Sequence, residues 1–361
     1  MASPAPSSPS TPADSHANGG AQRAALLRRT WQRRGALAWA LWPLSLLYGA
    51  LAAHQRRRAA AHAQHAGLPT IVVGNVIAGG AGKTPVTQAI VGHLQRHGWK
   101  PGIISRGYGR STVDCRPVLT LSDPEDVGDE PLLLARSTGV PVFVAPQRLD
   151  AARALRAAHP EVDILVCDDG LQHTALARDV EVCVFHDGGI GNGWQLPAGP
   201  LREPWPRAVD AVLHTGPAPE RTPASQPVFA MQRQLAPYAV RSDGRHVPLA
   251  QLQGRPVHAL AAVARPERFF AMLQEQGLQL AHTEALPDHY NFVSWQRPTD
   301  MHELLICTEK DAVKLWPLQP DALAVPLALD IPQAFFDLLD QRLAAARLSS
   351  AAARGSAPST P

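Results

Sequence analysis

Thr70-Ile71-Val72-Val73-Gly74-Asn75 leads, four residues on, into Gly79-Gly80-Ala81-Gly82-Lys83-Thr84-Pro85, after which Val86, Ile90, Val91 and Leu94 recur at helical spacing and Gly98 supplies a stop. The apolar, β-branched run reads as a buried strand and the periodic run as a helix packed on one face. Between them, glycines let successive backbone N–H groups turn toward an anion, and the start of the helix adds its partial positive charge. Pro85 suits the first helical turn, where an N–H has no partner to lose. Strand, glycine loop, Lys-Thr and helix in that order are the context of a phosphate-binding loop. Residues Gly79, Gly80, Ala81, Gly82, Lys83, Thr84 and Pro85 would cradle the phosphates of ATP, with Lys83 bridging the β- and γ-phosphates and Thr84 on Mg2+. The loop is a variant, because Ile77 occupies the position where the usual spacing has its first glycine.

A second strand, Asp163-Ile-Leu-Val-Cys-Asp168-Asp169, carries four apolar residues in a row and ends in two carboxylates. Open α/β sheets bind ligands at the carboxyl ends of their strands, so Asp168 and Asp169 are placed to hold Mg2+ directly or through water. The bland alternative is an acidic turn in solvent. Gln172 and His173 follow as polar cleft residues, and Gln172 is grouped with the metal side. Further strands are expected at 101–105, 141–145, 180–185 and 209–214, with helices over 130–138 and 147–158. This alternation predicts a P-loop NTPase-like, doubly wound parallel sheet.

Four prolines lie between 217 and 227, which reads as a linker. Beyond it a smaller α/β domain is expected: a hairpin turning at Asp243-Gly244, a strand over 256–263, a helix opening at Pro266, strands at 278–283, 303–307 and 323–329, and a helix over 332–347. The expected organisation is a disordered tail (1–20), a basic and apolar segment (21–66), the P-loop domain (67–216), the linker (217–227), the smaller domain (228–347) and a second disordered tail (348–361).

Charged residues make up 18% of the chain and the net charge is +3, which gives no general nucleic-acid signature. The basic residues are uneven, however: Arg23, Arg28, Arg29, Arg33, Arg34, Arg56, Arg57 and Arg58 flank a stretch, Gly35–Gln55, without a fixed charge. Three readings compete for that stretch: a spanning helix, a cleaved signal peptide, and a helix lying in an anionic membrane surface with snorkelling arginines at both ends. Arginines at both ends give no orientation for spanning, and a signal peptide would strand a nucleotide site outside the cell. The surface helix is therefore the expectation. The four cysteines form no CxxC pair and read as reduced thiols.

The chain resembles the lipid A 4'-kinase family (tetraacyldisaccharide 4'-kinase). The resemblance is carried by Val-Gly-Asn…Gly-Gly-Ala-Gly-Lys-Thr-Pro (73–85), Ser-Arg-Gly-Tyr-Gly-Arg (105–110), Gly-Asp-Glu-Pro (128–131), Asp-Asp-Gly-Leu-Gln-His (168–173), Leu-Pro-Ala-Gly-Pro-Leu-Arg-Glu (196–203), Asp-His-Tyr-Asn-Phe (288–292) and Thr-Glu-Lys-Asp-Ala-Val-Lys (308–314). It implies transfer of the ATP γ-phosphate to the 4'-hydroxyl of a tetraacyl glucosamine disaccharide 1-phosphate, on the cytoplasmic face of the bacterial inner membrane. It brings with it an acylated lipid substrate, an anionic membrane surface, and no nucleic acid or obligate protein partner. Kinases of other small substrates and membrane-anchored nucleotide switches are the competing readings.

A sugar hydroxyl needs a base to take its proton. Asp129 opens a helix and by itself reads either as that base or as a helix cap; the resemblance implies the base. It likewise implies a catalytic role for His289, which as an isolated histidine reads as a surface residue. Arg202 and Glu203 follow a Pro-Ala-Gly-Pro turn and suit charge stabilisation and metal contact, with a plain ion pair as the alternative. Tyr108, Arg110, Glu130 and Arg148 are expected on the substrate side, Arg148 toward the disaccharide's 1-phosphate. Thr308-Glu309-Lys310-Asp311 lacks the spacing of a guanine-recognition motif and gives no GTP signal.

Overall fold

The structure is a computed structural model that describes residues 29–79, 82–288, 290–298 and 303–355. A long helix, α1 (Ala36–Ala61), precedes the first sheet. That sheet contains β1 (Thr70–Gly74), β2 (Pro101–Ser105), β3 (Arg116–Pro117), β4 (Val142–Val144), β5 (Ile164–Asp168), β6 (Val180–Phe185), β7 (Ala211–His214) and β8 (Val228–Ala230), in the spatial order β3-β4-β2-β5-β1-β6-β7-β8. Every pairing is parallel except β3 with β4. The chain builds outward from β1 on one side and then crosses to its other side at β6, which makes the sheet doubly wound. β1 and β5 are buried along their whole length, as a central pair covered on both faces must be.

Alternate residues of these strands feed two cores. On one face Ile71, Val73, Ile103 and Val166 pack with Val86, Ile90 and Leu94 of α2 (Lys83–Arg96). The short α3 (Pro124–Val127) leads into α4 (Asp129–Thr138), whose Leu132 and Leu134 join the same core. On the other face Val72, Ile104, Leu165 and Cys167 pack with Ala151, Ala152 and Leu155 of α5 (Arg148–Ala158).

The polypeptide leaves this sheet through β9 (Gln232–Leu235). The second sheet uses β10 (Tyr238–Val240), β11 (His246–Pro248), β12 (Pro256–Ala261), β13 (Gln279–Ala285), β14 (Leu304–Thr308) and β15 (Leu323–Val325), ordered β11-β10-β15-β14-β12-β13. The hairpin at Asp243-Gly244 joins β10 to β11, and α6 (Pro266–Glu275) opens at Pro266. α7 (Glu309–Leu315) follows β14.

The chain departs from the sequence-based expectation at three places. A single strand over 323–329 is expected, but Pro326 has no N–H to give a ladder, and the segment splits into β15 and β16 (Leu327–Asp330). β16 pairs with β9 as a separate antiparallel ribbon. β8 lies just past the proline-rich 217–227 segment yet extends the first sheet beside β7. The last helix, α8 (Gln333–Gly355), returns to the first sheet: Phe335, Phe336, Leu339 and Leu343 complete the core around Ile71 and Val86. Residues 1–28, which include the first expected tail, and 356–361 lie outside the described residues; α8 continues through 348–355, the part of the second expected tail that is described. Cys167, Cys183 and Cys307 are buried and Cys115 is exposed, all as free thiols.

Candidate active site

β1 and β5 are neighbours in register, with Val73 opposite Asp168, so the loop after β1 and the carboxylates after β5 open at one sheet end. Gly82 caps α2 with φ 78, a left-handed conformation that glycine adopts without steric cost. A Cβ there would also lie 3.2 Å from the Arg233 guanidinium of β9. Lys83 and Thr84 follow in the first turn, both buried. The Lys83 ammonium donates to Asn75 Oδ1 at 3.5 Å and lies 3.6 Å from Asp169.

Asp168 is fully buried; its Oδ1 accepts from the Thr87 hydroxyl at 2.9 Å, while its Oδ2 has no hydrogen-bond partner among the described residues. Burial first, then the negative charges of Glu130 and Asp169, push the Asp168 carboxyl up to about 7, against the pull of Lys83 and Thr87. Asp169 behaves oppositely: burial raises its pKa, but Lys83, Arg202 and Arg148 outweigh that and hold it below the usual range. Two adjacent carboxylates thus have opposite protonation tendencies set by their surroundings. Asp169 also has φ 50, a strained conformation for a residue with a Cβ, as occurs at functional turns.

The 196–203 loop lies across the phosphate loop. Ala78 N donates to Pro200 O at 2.7 Å and Arg202 N to Val76 O at 2.7 Å. This brings the Arg202 guanidinium 3.5 Å from Asp169 and 3.5 Å from Gln172 Oε1. Gln172 donates to Asn75 O at 2.8 Å and to Glu203 Oε1 at 2.8 Å. The buried Glu203 carboxylate also receives Arg207 at 3.2 Å.

On the other flank, Gly128 (φ 93) caps α4, and a Cβ on it would sit 3.1 Å from the Gly107 backbone and from Tyr108 O. Only glycine permits that approach, and it brings Asp129 beside the 105–110 loop. Asp129 is the first residue of α4, with Gly128 as the cap. Its carboxylate lies 2.7 Å from Lys314 of α7, an ion pair that joins the helix after the first sheet's 105–110 loop to the helix after β14 of the second sheet. Tyr108, Gly128, Asp129 and Lys314 line a cavity of about 970 Å3.

Near Asp169, the buried Arg148 donates through Nη2 to Asp169 O at 3.0 Å, and its Nε and Nη1 have no partner among the described residues. Both terminal nitrogens of Arg110 are likewise buried and unpaired there. Burial first, then Arg148, Arg106 and Arg178, depress His173 to about 4, so its ring is neutral at pH 7. Guanidinium nitrogens left without hydrogen-bond partners are donors an anion could take up.

The structure therefore gathers Lys83, Thr84, Asp168, Asp169, Gln172, Arg202 and Glu203 at one sheet end, with Arg148 beside them. Asp129, Glu130, Tyr108 and Arg110 stand on the adjoining flank. Pro85 lies in the first turn of α2 and Gly79 (φ 102) in the loop. Gly80, Ala81 and His289 lie outside the described residues. Sequence reasoning missed Asn75, Thr87, Arg233 and the partnership of Lys314. Arg233 is half-buried; burial lowers its pKa, Asp187 opposes that, and Arg268 and Arg265 add to it. Its only sequence signal was a lone arginine in a polar strand.

Comparison with known proteins finds a match over residues 37–344 to the family model described as tetraacyldisaccharide-1-P 4'-kinase. A tetraacyldisaccharide 4'-kinase of Acidovorax sp. (strain JS42) is 67% identical over 321 residues, spanning 88% of this chain and 94% of that protein. The enzymes of the same name from Delftia acidovorans and Dechloromonas aromatica are 62% and 46% identical, over 91% and 88% of this chain and 98% and 97% of their own lengths. Among solved structures, LpxK from Aquifex aeolicus in complex with ATP matches with a TM-score of 0.74 and 26% identity, covering 85% of this chain and 99% of that one.

Proposed function

Since the chain belongs to the tetraacyldisaccharide-1-P 4'-kinase family, we propose that the site just described binds ATP at the phosphate loop and transfers its γ-phosphate to the 4'-hydroxyl of the lipid disaccharide 1-phosphate lying in the cavity lined by Asp129. The observation that carries this reading is the convergence of Lys83, Asp168 and Asp169 at one sheet end, close enough to the start of α4 for the charge of Glu130, next to Asp129, to act on Asp168. The relative solved with ATP has this fold, which supports ATP as the donor.

In this mechanism Asp129 takes the 4'-hydroxyl proton as the sugar oxygen bonds to the γ-phosphorus. The bond from that phosphorus to the β–γ bridging oxygen breaks, and ADP leaves. Lys314 fixes the Asp129 carboxylate from across the cleft. His289, which follows Asp288, is assigned to relay or orient that proton. Lys83 and Arg202 meet the charge that develops on the transferring group and the leaving oxygen. Tyr108, Arg110 and Glu130 on the adjoining flank, with Arg148 from beside Asp169, are assigned to the sugar and its 1-phosphate.

Magnesium fits the carboxylate side of the site. Asp168 has a partnerless buried oxygen and a carboxyl held up to about 7, the signature of a place short of positive charge. Thr84, Asp168 and Asp169 would hold the ion, with Gln172 and Glu203 ordered behind them. When bound, it would neutralise charge on the β- and γ-phosphate oxygens.

The same reading puts the enzyme on the cytoplasmic face of the bacterial inner membrane, with α1 in the interface. Leu37, Trp39, Leu44, Leu46, Leu47 and Leu51 of α1 are exposed. The chain around this helix is bound to the catalytic domain from end to end: Trp31 Nε1 donates to Pro197 O at 2.9 Å, Ser45 Oγ to Gln195 O at 2.9 Å, Tyr48 Oη to Arg202 O at 3.1 Å, and Thr174 Oγ1 to Arg56 O at 3.0 Å. A helix crossing the bilayer would drag those polar loops into hydrocarbon, where unpaired polar groups are costly. A helix lying in the interface, with Arg33, Arg57 and Arg58 toward anionic lipid, avoids this.

The test is incubation of the purified protein with γ-labelled ATP, Mg2+ and the disaccharide lipid 1-phosphate in detergent, beside Lys83→Ala and Asp129→Ala. Label on the lipid, lost in both variants, is the expected result. Free phosphate without labelled lipid would refute the acceptor, and lipid labelling that persists in Asp129→Ala would refute the assigned base.

A further inference from the structure

Far from the phosphate loop, at the last turn of α2, three side chains with metal-ligand chemistry converge. His93 and His97 stand four residues apart, one above the other on the helix, and Asp340 reaches them from α8. The Nε2 of His93 lies 3.0 and 3.1 Å from the two carboxylate oxygens of Asp340. One ligand atom from each of the three residues falls within 4.8 Å of the others. His97 donates from Nδ1 to the His93 carbonyl at 2.8 Å, which fixes its tautomer and leaves Nε2 as a bare acceptor. That is the backbone support that orients metal-binding imidazoles. The buried His93 ring is clamped between Phe336, stacked at 4.5 Å, and His97 at 4.1 Å.

We propose that His93, His97 and Asp340 form a second metal site, specific for a zinc-class transition ion, which clips the C-terminal helix to the phosphate-loop helix. Tetrahedral zinc with bonds of about 2.0–2.2 Å sets its ligand atoms roughly 3.3 Å apart. The His93–Asp340 pair needs to open by only a few tenths of an ångström, while the exposed His97 ring, now bonded to the His93 carbonyl, has to swing by up to about 1.5 Å to close the third side. Two imidazoles and one carboxylate favour zinc, cobalt, nickel or copper over magnesium and calcium. The fourth position faces water. Lys83 starts the same helix ten residues earlier, about 15 Å away along its axis, so this site lies outside the phosphate-transfer centre. Its effect is on the docking of α8, whose Phe335, Phe336, Leu339 and Leu343 complete the first core. A ligand bound only by the folded state raises stability in proportion to the logarithm of its concentration over Kd.

The simpler alternative is an ion pair between His93 and Asp340 with His97 as a bystander, and the experiment separates the two. The full chain, without a histidine tag and stripped with chelator, is titrated with Co2+ and then Zn2+ while the visible spectrum and the melting temperature are followed. Expected are one equivalent of Co2+ with d–d absorption, displacement by Zn2+, and a melting temperature several degrees higher with Zn2+. His97→Ala and Asp340→Asn should each weaken binding tenfold or more and remove the zinc-dependent shift, leaving lipid phosphorylation near the parent rate. Absence of any spectral change or melting shift at 100-fold excess metal would overturn the site. So would binding that survives in both variants, which would place the metal on other histidines. A melting loss in Asp340→Asn that is the same with and without zinc, with His97→Ala indistinguishable from the parent, would leave only the ion pair.

Discussion

Thr87→Val tests the electrostatics proposed for the carboxylate end of the site. Thr87 and Asp168 are both fully buried, and the hydroxyl's 2.9 Å hydrogen bond is the contact that opposes burial at Oδ1. Valine keeps nearly the same shape and deletes the donor. A hydrogen bond to a charged group contributes about 1.5–3 kcal/mol, and a pKa unit corresponds to about 1.4 kcal/mol, so the carboxyl rises by roughly one to two units above its already raised value. The sign for stability follows from linkage. Asp168 in the folded protein holds its proton to about 7, higher than in the unfolded chain. Its contribution is therefore lost as pH rises from the unfolded value toward 7, and levels off above. In the variant that loss continues to higher pH. Metal-free parent and variant should melt close together at pH 6, and the variant should melt several degrees lower at pH 9. With Mg2+ and ATP, the pH midpoint of magnesium-dependent activity should move up by about one unit or more, because the ion must displace a more tightly held proton. Equal melting deficits at every pH, or an unmoved midpoint, would refute the account of Asp168.

Lys314→Met removes the 2.7 Å partner of Asp129 and should lower kcat by about tenfold or more, leaving the KM for ATP nearly unchanged in steady-state kinetics. Arg233→Ala, removing the guanidinium over Gly82, should do the reverse and raise the KM for ATP. Phe335→Ala empties a site at which the ring meets Phe229 at 5.8 Å and Phe336 at 5.2 Å; denaturant unfolding should record a loss of about 3–5 kcal/mol. Leu47→Asp on the exposed side of α1 should cut co-sedimentation with anionic vesicles by about tenfold or more and leave ATP binding intact.

The parts of the site carried by contiguous sequence were readable in advance. The strand, glycine loop and helix of residues 70–96 sit in a row, and so does the apolar run ending at Asp168 and Asp169. Contacts made by packing were not readable. Asn75 reaches Lys83 and Thr87 reaches Asp168 only because β1, α2 and β5 meet, and no local pattern encodes that meeting. α8 has an apolar face, but periodicity alone does not say which of two sheets it covers. Thr308-Glu309-Lys310-Asp311 held a signal that was not used. Thr308 caps α7, accepting from Asp311 N at 3.1 Å, and the Asp311 carboxylate accepts from Thr308 Oγ1 and from Ala262 N. That is a helix-capping arrangement of the Ser/Thr-x-x-acid type. It builds the helix that projects Lys314 and accounts for the segment without any nucleotide contact.

The coupling of α1 to the site bears on how a membrane-held substrate would meet a soluble one. The acyl chains of a four-chain lipid oppose extraction by about 0.8 kcal/mol for each buried CH2, so the headgroup must be phosphorylated where it lies. Transfer between oxygens tolerates little error in distance, and a flexible tether would therefore be a poor anchor. α1 is joined instead to the loop that carries the charged residues. Ser45 receives Ala198 N at 3.0 Å while donating to Gln195 O, and Tyr48 holds the carbonyl of Arg202 itself. Trp39 and Trp42 pack against Trp194 of the same loop at 4.7 and 6.2 Å. With the exposed leucines of α1 seated in the interface, the depth of that helix would set the height of Arg202 and Glu203 above the bilayer. The anchor would then act as a ruler between the lipid headgroup and the phosphate loop. A substitution such as Ser45→Ala would loosen that ruler without touching either substrate: activity on membrane-embedded lipid should fall more than activity on the same lipid dispersed in detergent.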